Sequence, residues 1–173
     1  MSLSLYDATV PSFLQILGSV EGFLAKGAAH FKEKNVDANE VFEARLFPDM
    51  APFKFQIQSV AHHSLGAVRS IQSGQAGPPA PITATDYAGL QKLATDTREA
   101  LQKIKPEEVN GCAGKDVVFA VREIKLPFTA EGFLQTFSLP NFFFHATTAY
   151  DILRTKGVPV GKRDFLGKMR LKS

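Results

Sequence analysis

PFKFQIQSVAHHSLGAVRSIQSG, residues 52–74, is the stretch that decides the fold. Phe53, Ile57, Val60, Ala61, Ser64, Val68 and Ile71 recur at three- and four-residue steps. At about 100° per residue they fall in one narrow sector of a helical wheel. Pro48 and Pro52 punctuate the approach, and Pro52 suits a first helical turn, where its missing N–H has no helical partner in any case. Ser73-Gly74 supplies the stop. The stretch therefore predicts a helix whose apolar stripe must be buried against other elements.

Three further segments carry the same signal. Leu3, Tyr6, Val10, Phe13, Leu14, Leu17 and Leu24 predict an amphipathic helix from Ser2 to His30, bent at Pro11. A polar break at 32–39 ends it. After residues 52–74 the chain runs through Gly74-Gln75-Ala76-Gly77-Pro78-Pro79-Ala80-Pro81, which cannot continue a helix and suits a connection across a bundle end. Leu90, Leu93, Ala94, Thr97, Leu101 and Ile104 form the stripe of a third helix, capped by Thr83 or Thr85 with Asp86 near its positive end and stopped by Pro106. Val117, Val118, Phe119, Val121 and Ile124 favour strand and predict a short hairpin, with any strand confined to 114–127. Helix resumes at Thr129 and runs to about Thr136. Ser138, as cap, with Pro140 in the first turn then opens a last helix that ends at Gly157. The fold class is mainly all-α: a four-helix bundle in one domain over residues 1–173, with a short β-hairpin before the last helix.

Composition narrows the function classes. Fifteen Phe and no Trp point to packing, because Phe has no polar handle. The single cysteine, Cys112, makes no internal disulfide. With no secretory signal and no unbroken run of about 18 apolar residues, a cytoplasmic location and no membrane contact are expected. Net charge is +3, too little to imply nucleic acid. Arg154, Lys156, Lys162, Arg163, Lys168, Arg170 and Lys172 do stand against only Asp164 at the C-terminus. No aromatic stacking pattern accompanies them, so a solvated tail is the simpler reading.

Four histidines are available: His30, His62, His63 and His145. On the last helix, Asn141, Phe142, Thr148, Ala149 and Ile152 lie within about 60° of His145. His145 is therefore expected to be buried, with Asn141 as its nearest partner, and together they mark a polar spot in an apolar interior. His62 and His63 sit about 140° and 120° to either side of Ile57 and flank the stripe of their helix. The candidate pocket is thus His145, Asn141, His63 and His62. His63 and His145 could form a degenerate metal site, since imidazole binds zinc and nickel. A catalytic zinc needs three protein ligands, and one turn after His145 stands Ala149. No catalytic residue is assigned, and the expected cofactor is none or a divalent metal.

The segment Leu139-Pro140-Asn141-Phe142-Phe143-Phe144-His145-Ala146-Thr147-Thr148-Ala149-Tyr150-Asp151-Ile152-Leu153-Arg154 resembles an uncharacterised bacterial family, DUF1993, grouped with the DinB/YfiT-like superfamily. The closing Gly157-Val158-Pro159-Val160-Gly161-Lys162-Arg163-Asp164-Phe165-Leu166-Gly167 and the opening Tyr6-Asp7-Ala8-Thr9-Val10-Pro11-Ser12-Phe13-Leu14 are similar to it as well. The resemblance implies a four-helix bundle with a long crossing connection, frequently dimeric. It also implies a metal held by one histidine of the second helix and an His-x-x-x-His pair of the last. His145 matches the first of that pair, and His62 or His63 the second-helix ligand, while Ala149 departs from the pattern. Two function classes follow. One is a protein with an incomplete metal site that binds a small-molecule ligand or acts as a non-catalytic homodimeric module; the other is a metal-dependent enzyme of the thiol-transferase type.

Overall fold

Ser4 opens the first helix in the computed structural model, which describes residues 3–172: its hydroxyl accepts the Asp7 N–H at 3.1 Å. Helix α1 (Leu5–Glu33) runs without interruption through Pro11 and ends three residues beyond the expected His30. The expected start at Ser2 lies outside the described residues. Val10, Phe13, Leu17, Val20, Phe23 and Leu24 of α1 are fully buried and form one wall of the core. By length and composition α1 would suffice to cross a membrane, although its apolar residues form no unbroken run. Half of its most apolar window is buried inside the protein, so the core accounts for much of that apolarity.

The stretch 53–73 is one continuous helix in three parts. Regular α2 (Phe53–Ala61) gives way to a π turn (His62–Gly66) and then to α3 (Ala67–Ser73). Gly74 stops it at φ 76°, a left-handed conformation that favours glycine. Helix α4 (Tyr87–Gln102) is capped by Asp86 and not by Thr83 or Thr85: its carboxylate accepts the Gly89 N–H at 2.7 Å. A carboxylate there meets both the open N–H groups and the positive end of the helix. Pro106, expected only as a stop, also begins the short helix α5 (Pro106–Asn110).

The hairpin is present as β2 (Asp116–Val121) and β3 (Ile124–Thr129), antiparallel and turned at Arg122 with φ 52°. The sheet exceeds the expected 114–127 limits. β3 reaches Thr129, and β1 (Gln75–Ala76) adds a parallel edge to β2, with Gln75 opposite Val118. Two residues directly after a helix stop carry no side-chain strand signal; backbone pairing, begun by Val118 N–H on Gly74 O at 3.0 Å, places them there.

The last long helix also differs in detail. Thr129 caps α6 (Ala130–Gly132), which passes through a second π turn (Phe133–Ser138) into α7 (Leu139–Thr155). Ser138 is helical at φ −72°, ψ −47° and makes no cap bond, so it does not open a new helix. Pro140 stands two residues after the π turn; its ring and missing N–H are incompatible with a regular ladder, and the widened turn absorbs the misfit. Gly157, at φ 84°, closes the segment. Helix α8 (Lys162–Leu166) then folds back onto α1, where the Gln15 amide donates to Leu166 O at 2.8 Å. The architecture is mainly helical with one small three-stranded sheet. Phe13 and Phe142 meet edge to face at its centre, ring centroids 4.9 Å apart.

Candidate functional site

The two π turns face each other, and the histidines gather where they meet. His62 and His63 occupy the first turn, with rings 4.9 Å apart and nearly perpendicular. Phe137 of the second turn packs its ring 5.6 Å from that of His63. From α7, His145 stacks on His63 at 5.8 Å, with planes only 10° from parallel. π turns interrupt a helix at a cost and recur where a side chain must be re-aimed, so this pairing marks the region. Phe55 and Phe144 contact the outer side of His145, at 5.8 and 5.3 Å.

The structure brings His62, His63 and His145 together and gives Asn141 a different part. The Asn141 amide donates to the carbonyl of Phe137 at 2.7 Å, so it is not the partner of His145. That partner is Gln56, whose Oε1 lies 2.7 Å from His145 Nδ1. Gln56 is buried, and its own amide donates to the Ala51 carbonyl at 2.8 Å. Sequence reasoning missed it, although a wheel places residue 56 within about 20° of residue 63. His145 is half-buried, less than expected, because Phe143 and Phe144 leave its edge of the helix open.

Burial without a compensating charge keeps these imidazoles neutral. Desolvation lowers His63 to about 3, and the neighbouring His62 and His145 add to the effect. His145 falls to about 4, first by desolvation and then through His62. His62 is also lowered by burial, partly offset by a backbone hydrogen bond to Gly77. Among the described residues no carboxylate forms a salt bridge with any of the three. Neutral imidazole has one donor and one lone pair, so the cluster offers hydrogen-bonding groups and no net charge at pH 7.

Among the described residues no group of three or more His, Cys, Asp or Glu is placed to hold an ion. Ala149, where the resemblance implies the third ligand, is fully buried. His63 and His145 lie with ring centroids 5.8 Å apart and planes 10° from parallel, and two imidazoles alone leave a tetrahedral ion two ligands short.

His62 also lines a cavity of about 520 Å³, whose walls include Leu65, Leu93 and Ala100 and whose polar groups include Gln58, Arg69, Asp96 and Thr97. A larger hollow of about 680 Å³ lies at the start of α1 against α5 and α6. Among the described residues Glu131 is its one ionisable side chain, and that carboxylate already accepts the Gly114 N–H at 2.7 Å. His30 lies elsewhere, beside Lys34 and Lys156. Cys112 is buried with its thiol on the Glu108 carbonyl at 3.3 Å. In the basic C-terminal segment, Asp164 pairs with Lys26 at 2.7 Å and Arg154 donates to the Val160 carbonyl.

The chain is mainly helical with a small sheet, and histidines of its second and last long helices meet in its interior. Its sequence matches the domain of unknown function DUF1993 over residues 5–166, and the chain belongs to that family. It is similar to a DinB family member protein from Shewanella denitrificans, solved by crystallography at 1.83 Å: 27% identity, TM-score 0.82, covering 98% of this chain and 95% of that one. No curated protein matches it.

Proposed function

We infer that the chain is a DinB-type four-helix bundle that has given up a complete metal centre and binds a small molecule at its histidine cluster, as a homodimeric, non-catalytic module. The observation that carries this reading is the neutral cluster beside a cavity of small-molecule size. A largely apolar hollow of about 520 Å³ with a few convergent polar groups and a perturbed histidine is the usual form of a ligand site. The dimer rests on exposed apolar side chains, Phe143 on α7 and Ile124 and Leu126 on β3.

The second reading, a metal-dependent enzyme of the thiol-transferase type, is favoured by the closeness of His63 and His145. It requires a third ligand that Ala149 does not supply. A fragment screen on protein labelled with ¹⁵N-histidine tests the choice. Small polar aromatics should give saturable shifts at His62 and its neighbours, abolished by His62→Ala. A ligand held at about 100 times its Kd should add about 2.7 kcal/mol to stability. A cluster that no fragment perturbs, in protein carrying stoichiometric zinc or nickel, would sink the small-ligand reading.

A further inference from the structure

Gln56 stands outside the histidine cluster and yet fixes its chemistry. Ala51 presents a backbone carbonyl, which only accepts. Gln56 Nε2 lies 2.8 Å from that oxygen, so the NH₂ end of the amide must face it. The reverse orientation would set Gln56 Oε1 against the Ala51 oxygen, two acceptors with no hydrogen between them. Gln56 is 1% exposed, so water cannot relieve such a clash. The carbonyl end therefore faces His145, 2.7 Å from Nδ1, and an acceptor there demands that Nδ1 carry the hydrogen.

We propose that Gln56 is a positioning residue: it pins neutral His145 as the Nδ1–H tautomer, leaving Nε2 as a standing acceptor, so the site selects a ligand that presents an N–H or O–H group. A neutral histidine side chain in water favours the Nε2–H tautomer, so the protein imposes this one. Nε2 has no hydrogen-bond partner among the described residues. The Phe55 and Phe144 rings beside His145 supply apolar walls, and Phe144 is exposed enough to leave the site accessible. A donor attached to a small aromatic body fits that combination: the donor meets Nε2 and the ring meets the phenylalanines. The ligand class rests on the small-ligand reading above; the tautomer does not.

The test is histidine ¹⁵N NMR on the full chain at pH 8, first with no ligand. Unprotonated and protonated ring nitrogens resonate far apart, so the tautomer of His145 is read directly. Wild type should show protonated Nδ1 and bare Nε2. Gln56→Met, which keeps the shape and removes the acceptor, should shift the population towards Nε2–H. A wild-type His145 protonated at Nε2 overturns the proposal whether or not the variants fold. Phenol and anisole, equal in shape apart from the donor, then test the ligand class. Phenol should perturb His145 Nε2 and bind several-fold more tightly than anisole, as one added hydrogen bond allows. Equal affinities overturn the donor requirement. Binding of neither, with the tautomer as stated, overturns the small-ligand reading of this site and leaves the role of Gln56 standing.

Discussion

Replacing His145 by alanine tests the energetics of the cluster most sharply. The change removes the donor that satisfies Gln56 Oε1, and Gln56 is buried, so the oxygen is left without its bond. An unsatisfied buried acceptor costs about 1–3 kcal/mol. Contacts of the ring with Phe55, Phe144 and His63 are lost as well, but His145 is half-exposed and water can enter that part of the space. The total should stay at about 1–3 kcal/mol, which for a domain of this length lowers the thermal midpoint by about 2–12 °C. Urea unfolding read by far-UV circular dichroism gives the free energy directly. A double-mutant cycle with Gln56→Leu isolates the pair: each single change leaves the other partner bereft, so the double variant should be more stable than additivity requires by about 0.5 kcal/mol or more. An unchanged midpoint for His145→Ala, or strict additivity in the cycle, would refute the view that Gln56 and His145 satisfy each other.

Other expectations follow from the same structure. His63 and His145 titrate near 3 and 4 in the folded state and near 6.5 when unfolded, so between those values the unfolded chain binds more protons. Their contribution is complete above about pH 6.5 and is lost as pH falls; urea midpoints measured from pH 7 to pH 5 should decline, and a flat profile would count against burial of neutral imidazoles. Gly27→Ala should destabilise by about 1–3 kcal/mol, because the new Cβ meets the Tyr87 hydroxyl, which donates to the Leu24 carbonyl at 2.8 Å. Adding Tyr87→Phe should recover part of that loss, and no recovery in thermal unfolding would point to another cause. Light scattering at high micromolar concentration should give a dimer mass; a monomer mass would remove the homodimer from the account.

Much of the helical framework was legible because each long helix buries an unbroken stripe. The apolar period of residues 53–73 gives the helix and its Gly74 stop, and Gly157 marks the end of α7 in the same way. The π turns were not legible: a wheel assumes constant rotation, and His62, His63 and Phe137 sit where that assumption fails. The split at Ser138 came from reading a cap where Pro140 instead provoked a wider turn. At the site, the sequence separated His145 from its surroundings but chose the wrong amide. Asn141, one turn away, competes with its own backbone and bonds Phe137, whereas Gln56 comes from another helix and shares no local pattern with His145. β1 was invisible because two backbone-paired residues need no β-favouring side chain.

Zinc and nickel content of tag-free protein, with zinc titration of wild type beside Ala149→His, tests the central claim most directly. Two stacked imidazoles and a buried alanine should hold a divalent ion weakly, so dialysed wild type should carry far less than one equivalent, while the variant, with a third imidazole one turn after His145, should gain affinity. Stoichiometric zinc or nickel that survives dialysis of the wild type and disappears with His145→Ala would contradict the account.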